Sequence, residues 1–355
     1  MRKIAAVIIF YSIATITVNG QSDRIAQIDS ILSEMTRQDL FSGAVLIADG
    51  SQVLLSKGYG YSDRENKVKN TPDTRFDLSS GSKIFTGTAI TLLAQQGKIK
   101  FTDTIGKYIQ GLPNGNVITI QHLLTHSAGF DNFYNATGFS YKNVKNCTDI
   151  MPFMRKLPLV YHAGDSCAYS TGNTIVLGAV VEKVTGLNFQ DYFEKIFIKP
   201  LKLENTCFTP YWTLDDSQRQ YAIGYKRNDT HDYSRKDYRY DYGFVPLAAG
   251  GAWSSVNDLY KFDKAVFSGK ILNAEYLKLM TSKYTTPVWE NCHFGYIWII
   301  DDSHTHCIGH AGNSSGWNTW NYYYPEKKIT MIILTNFGSV DVFELAGMFD
   351  KILFK

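Results

Sequence analysis

Leu78-Ser79-Ser80-Gly81-Ser82-Lys83 opens an apolar stretch that continues through Ile84, Phe85, Ala89, Ile90, Leu92 and Leu93. The spacing predicts a helix that stops near Gly97, a residue suited to the position just past a helix end. Ser80 and Lys83 are three residues apart, so one helical turn puts both side chains on one face. A serine hydroxyl is a weak nucleophile and needs a base. A lysine can be that base once desolvation leaves its amine neutral. The start of a helix adds free backbone N–H groups for an oxyanion forming at the serine. Beyond Lys83 the helix is apolar on most sides, which implies burial, so the lysine must lie in a cleft or be paired.

Working outward, residues 25–35 read as an amphipathic helix with Ile25, Ile28, Ile31, Leu32 and Met35 on one side. Residues 44–48 and 53–55 are strand-like runs joined through Asp49-Gly50, a tight hairpin signal. On the other side, Thr119 caps a short helix carrying Ile120, Leu123 and Leu124, residues 131–168 are loop-rich, and residues 174–184 form a strong helix ending at Gly186. Residues 221–242 are polar, charged and rich in tyrosine without periodicity, and are expected to be a long surface loop or lid. Residues 250–255 form a turn and residues 256–267 a helix. Strand-like runs follow at 296–300, 317–324 and 329–334, and a helix over 340–353 closes the chain.

A hairpin first, helices in the middle and strands last predict an α+β fold. Its antiparallel sheet is built from both chain ends and flanked by helices, with a mainly helical inserted domain. The expected division is one catalytic unit over residues 21–355: residues 21–66 with 285–355 supply the sheet, and 67–284 the mainly helical part.

The 355 residues give ample apolar content for a core. Met1-Arg2-Lys3, an apolar run from Ile4 to Val18 and then Asn19-Gly20-Gln21 have the pattern of a secretory signal over residues 1–20. The run is too short for a stable membrane span, and no cysteine stands at the expected cleavage point for a lipid anchor. Export, to a periplasm or outside the cell, is the expectation. The formal net charge is +3, and without Arg2 and Lys3 it falls to about +1. That balance argues against nucleic acid or an anionic membrane surface as partner. Cys147, Cys167, Cys207, Cys292 and Cys307 lack C-x-x-C spacing, and their odd number leaves at least one outside any disulfide. Nothing in the sequence indicates an oligomeric state.

Several ordered segments accompany the Ser80 motif: Gly58-Tyr59-Gly60, Pro72-Asp73-Thr74 ahead of Phe76, Leu123-Leu124-Thr125-His126-Ser127-Ala128-Gly129, and Ala249-Gly250-Gly251. In that combination the chain resembles the penicillin-binding-protein and class C β-lactamase family, the S-x-x-K serine hydrolases, from about Gly43 to Asn336. The resemblance implies a β-lactamase/transpeptidase-like fold and an acyl-serine intermediate resolved by water, with no metal and no cofactor. It makes Ser80 the nucleophile and Lys83 its base. The second family element, usually Y-x-N, falls on Tyr169-Ser170-Thr171, where the phenol of Tyr169 can shuttle a proton from the serine to the leaving group. The third element falls on His310-Ala311-Gly312. Gly312 admits the substrate backbone, His310 adds charge or a hydrogen bond at its carboxylate end, and the Asn313 N–H joins that of Ser80 as an oxyanion donor.

Thr171 departs from the family pattern, because its hydroxyl cannot both donate and accept through a planar amide as asparagine does. Asn173 is positioned to compensate or to cap the following helix. The implied substrates are small molecules or peptides: a D-amino-acid peptide, a β-lactam or a small ester, with residues 221–242 as candidate selector. The alternative is a catalytically idle penicillin-binding-like ligand sensor, supported by Thr171 alone.

Two metal readings compete. His122 and His126 have the spacing of a zinc helix, but Leu123 stands where the required glutamate belongs. His304 and His306 would share a face of a strand near Cys307 and His310, yet no matching ligand cluster occurs elsewhere. The basic residues of 226–239 alternate with aspartates, as on a solvated loop.

Overall fold

The computed structural model describes residues 20–208, 221–228, 232–235, 245–289 and 291–355. The chain begins with helix α1 (Gln21–Arg37), then the hairpin β1 (Gly43–Asp49) and β2 (Gln52–Tyr59). Helix α2 (Lys83–Gln95) follows the serine turn, α3 (Thr171–Thr185) follows Tyr169, and α4 (Val256–Phe267) precedes the last strands. These are β3 (Cys292–Phe294), β4 (Ile299–Asp301), β5 (Cys307–Asn313), β6 (Asn318–Tyr324) and β7 (Ile329–Thr335), before the closing helix α5 (Val342–Leu353). They join one seven-stranded sheet in the order β2-β1-β7-β6-β5-β4-β3, antiparallel throughout.

The central strands β1, β6 and β7 are buried on both faces, and period-two alternation sorts their side chains between two cores. Ala44, Leu46, Ile332 and Leu334 enter the larger core with α2, α3 and α4, whereas Val45, Ile47, Met331 and Ile333 meet α1 and α5. The two terminal helices are tied together where the Arg24 guanidinium donates to the carbonyls of Leu353 and Lys355, at 2.8 and 2.7 Å. The Leu353 carbonyl ends the closing helix and has no partner within it.

The expected α+β architecture is present, with local differences. Ser80 lies in a 3₁₀ turn (Ser79–Ser82), and the α-helix proper starts at Lys83. Of the run at 296–300 only residues 299 and 300 are strand, which continues to Asp301, because Ile297 turns with a φ of 68° to pack into the larger core. His304 and His306 sit in a bend between β4 and β5 and so share no strand face. Part of the expected surface loop is ordered and internal: Tyr225–Arg227 pairs with Tyr233–Arg235, while Ala222, Ile223 and Tyr225 are buried. Gly224 admits the Trp317 indole there, its missing Cβ position only 2.6 Å from that ring. Residues 229–231 and 236–242 of that stretch, and residues 1–19 of the expected signal, lie outside the described residues. Among the described residues no helix is long and apolar enough to cross a membrane.

Candidate active site

The site is organised by the turn at Ser79–Ser82, which is pinned on several sides. Ser79 adopts a φ of 49°, uncommon for a residue with a Cβ. Its N–H donates to Asp77 Oδ1 at 2.7 Å, and its carbonyl accepts from Gly251 N at 3.1 Å and Ser82 Oγ at 2.8 Å. Strained backbone persists where surrounding contacts over-determine it, and here the contacts hold Ser80 half-buried while Lys83 is fully buried. The far end of β5 lies flush on the same turn. A Cβ at Gly312 would fall 2.1 Å from the Leu78 carbonyl oxygen and 2.7 Å from Gly81 N. Only glycine permits that approach.

Lys83 Nζ is 2.8 Å from Ser80 Oγ and also donates to the Ala249 carbonyl. Burial pulls its pKa down to about 7. A neutral amine there donates to Ala249 and offers its lone pair to the serine hydroxyl. Its nitrogen stands 5.1 Å from the ring centroid of Tyr169. The Tyr169 ring is half-buried, but its hydroxyl is shielded from solvent and lacks a partner of standard hydrogen-bond geometry. Burial raises that phenol well above its usual range, with Ser80 beside it acting in the opposite direction.

His310, on β5, lies with its ring centroid 6.2 Å from that of Tyr169. Burial, and then the Lys83 charge, hold its pKa at about 3, so the ring is neutral. Its Nδ1 meets the Ala311 carbonyl at 2.5 Å. A carbonyl only accepts, so Nδ1 carries the proton and Nε2 is left as a buried lone pair with no partner. The expected charge on His310 is therefore absent, because low-dielectric surroundings and a neighbouring amine disfavour it; the hydrogen bond is what remains. Asn313 is exposed at the end of β5, and its Nδ2 donates to Asn318 Oδ1 at 2.5 Å.

Ser80, Lys83, Tyr169, His310 and Gly312 thus come together from three separate parts of the chain. Thr171 sits apart from this group, at the first turn of α3, where its N–H and hydroxyl both donate to Asn132 Oδ1, at 2.9 and 2.8 Å. Asn132 brings an amide to the place where the Tyr169 motif lacks one. Asn173 does not cap the helix; Ser170 does, accepting from Gly172 N at 3.0 Å.

Asn173 is instead fully buried, with Nδ2 3.1 Å from His126 Nδ1. That same ring nitrogen accepts from Ser170 N at 3.2 Å, so His126 carries its proton on Nε2. Its ring packs 4.9 Å from Tyr169 and 4.6 Å from Phe294 between centroids. Burial, followed by electrostatic coupling to Lys83 and His310, holds its pKa well below the ordinary value. His126 and Asn132 are the residues that sequence reasoning missed as parts of the site. The signal the sequence offers for His126 is its place in the ordered segment Leu123–Gly129. His122 in fact closes a capping box with Thr119, at 3.2 Å in both directions.

Beside the serine turn is a cavity of about 100 Å³ whose walls include Phe133, Tyr134, Tyr141, Ile175 and Leu247. Thr171, Ala249 and Gly250 also line it.

Fold and site together define the class as the S-x-x-K acyl-serine hydrolases. Residues 28–346 match the family described as Beta-lactamase, and the chain belongs to that family. It is 27% identical over 316 residues to the putative penicillin-binding protein PbpX of Bacillus subtilis, covering 88% of this chain and 74% of the relative. A penicillin-binding protein from Bacillus halodurans superimposes with a TM-score of 0.80 at 23% identity, over 90% of this chain and 98% of the other. The D-amino acid amidase of Ochrobactrum anthropi also reaches 0.80 at 21% identity, over 93% and 98% of the two chains. These two structures carry the fold.

Proposed function

We propose that this protein is an exported acyl-serine hydrolase of small amides or esters whose acyl part bears an apolar side chain. The observation that carries the reading is the Lys83 amine, fully buried and 2.8 Å from the hydroxyl of the half-buried Ser80. The neutral amine takes the Ser80 proton as Oγ bonds to the substrate carbonyl carbon. The oxyanion forms against the backbone N–H groups of Ser80 and Asn313, each such donor contributing about 10²–10³ in rate. Tyr169 gives its proton to the departing nitrogen or oxygen and is re-protonated from Lys83. Water then attacks the acyl-serine, with the same groups returning the proton to Ser80.

The small apolar cavity supports a substrate with a medium-sized side chain. His310 offers a lone pair rather than a charge, which supports a substrate N–H over a terminal carboxylate as its partner. Amino-acid amides and esters therefore fit better than peptides ending in a free carboxylate. The D-amino acid amidase that shares the fold is named for substrates of that kind. Export rests on the composition of residues 1–20.

Intact-mass analysis after a fluorophosphonate probe, with D- and L-phenylalanine amide, a D-Ala-D-Ala peptide, nitrocefin and a p-nitrophenyl ester compared as substrates, tests this. Expected are one label on Ser80 and turnover of an amide or ester at least tenfold above the carboxylate-ended peptide. An unlabelled Ser80 overturns catalysis and restores the idle-sensor alternative. Preference for the peptide overturns the assignment to His310.

A further inference from the structure

We propose that the cavity on the opposite face of the sheet, between the β3–β5 edge and α5, is a second binding site that takes a small organic ammonium ion. The cavity measures about 470 Å³, within the range of small-ligand sites. Three aromatic side chains wall it: Trp289, Trp320 and Phe343. Trp320 and Phe343 meet edge to face at 5.4 Å between centroids. Trp320 is buried, whereas Trp289 and Phe343 are 48% and 56% exposed, large values for such rings. Two carboxylates, Asp301 and Asp350, line the same space, with the imidazole of His304 between the sheet edge and α5.

Asp350 is 8% exposed, and its Oδ1 is buried with no partner of standard hydrogen-bond geometry, although the Tyr324 hydroxyl lies beside the carboxyl. An unmatched buried acceptor is costly to leave so. Its carboxyl is pushed up to about 6 by burial, opposed by the Tyr324 hydroxyl and by His304. It is therefore mostly ionised at pH 7.5. Aromatic faces are negative, and a cation held over them beside a carboxylate gains from both. An anion meets repulsion from the carboxylates, and a neutral molecule of the same shape gains only apolar contact. The walls thus select the sign of charge as well as the size of the ligand.

The Trp289 ring also lies 6.0 Å from that of Tyr169, so the measurement must separate this cavity from the active cleft. Calorimetric titration of the full chain at pH 7.5 with phenethylammonium, 2-phenylethanol and phenylacetate does so when repeated after fluorophosphonate acylation of Ser80. The expected result is phenethylammonium at least tenfold tighter than the alcohol, no detectable phenylacetate binding, and the same order in the acylated protein. D350N should weaken the ammonium at least tenfold and leave the alcohol unchanged. F343A, an exposed position that does not endanger folding, should weaken it about threefold or more. Equal binding of the three probes, loss of binding on acylation, or an F343A protein that binds as wild type would overturn the proposal.

Discussion

Lys83 and Asp263 are both fully buried ionisable side chains on helices packed against one sheet, yet only one stands in a reactive setting. Burial drives each toward neutrality: the lysine falls to about 7 and the aspartate rises to about 8. The difference lies in what surrounds them. Lys83 meets the hydroxyl of the half-buried Ser80, a carbonyl and the Tyr169 ring. Asp263, on α4, meets Asn321 on β6 with Nδ2 3.3 Å from its Oδ1, in a closed interior. Asn321 pairs with His310 in the sheet register, so the two settings are one strand apart. A perturbed proton affinity therefore does not define a site here. Convergence on a reachable nucleophile does.

The largest expected break of this contrast is Lys83→Met. Removing the base should lower kcat/KM on an ester by about 10³–10⁴, in the range for a positioned general base. Stability should rise by about 1–3 kcal/mol, since a methionine ends the desolvation of the amine but leaves the Ala249 carbonyl without its donor. Wild-type kcat/KM should climb as pH rises through about 7, because the working form is the neutral amine. The same amine makes the folded state bind fewer protons than the unfolded one between about 7 and its model value of 10.5, so its contribution to stability also grows with pH over that window. Urea unfolding and a pH–rate profile check the two halves. Retained turnover in the variant would remove Lys83 from the mechanism.

A smaller effect is expected from Gly312→Ala. The added methyl would meet backbone, the Leu78 carbonyl oxygen and Gly81 N, with no flexible side chain to yield. The end of β5 must then lift from the serine turn, and displacement of about 1 Å in a reacting group costs on the order of 10² in rate. Overpacking of this kind also costs about 1–3 kcal/mol of stability. Loss of rate with an unchanged melting temperature would mean that the turn, not the strand, had moved.

What the sequence could reveal of this arrangement follows the range of the contacts. Ser80 and Lys83 are joined by one local turn, so their spacing was enough. The hairpin at Asp49-Gly50 and the helix of residues 256–267 were legible because turn chemistry and periodicity are local too. Tyr169 and His310 were found through motif resemblance, since no local pattern says that they meet. His126 and Asn132 escaped because their roles depend on loops brought together from 44 and 39 residues away. The sequence leaves open whether His310 adds charge or a hydrogen bond for a related reason: its neutral ring follows from burial beside Lys83, a tertiary fact. Residues 221–242 read as a surface loop or lid because their tyrosines look polar in one dimension, while the fold buries Tyr221 and Tyr225.

Asp263→Asn should have the smallest effect on catalysis and the sharpest effect on the pH dependence of stability. The folded-state carboxyl is held protonated up to about 8, whereas in the unfolded chain it ionises near its model value of 3.8. The folded state therefore binds the extra proton across that interval, and the contribution of Asp263 is fully present below the lower value. It is lost progressively as pH rises toward 8. An asparagine cannot ionise and keeps nearly the same shape, so the variant should match wild type near pH 4 and exceed it near pH 8. Ester turnover should stay within about twofold, because Asp263 contacts Asn321 rather than a reacting group. A pH series of urea melts reads the first effect and initial rates the second. A tenfold loss of turnover would show that the Asn321–His310 pairing carries Asp263 into the active site, and the contrast between the two buried groups would then fail.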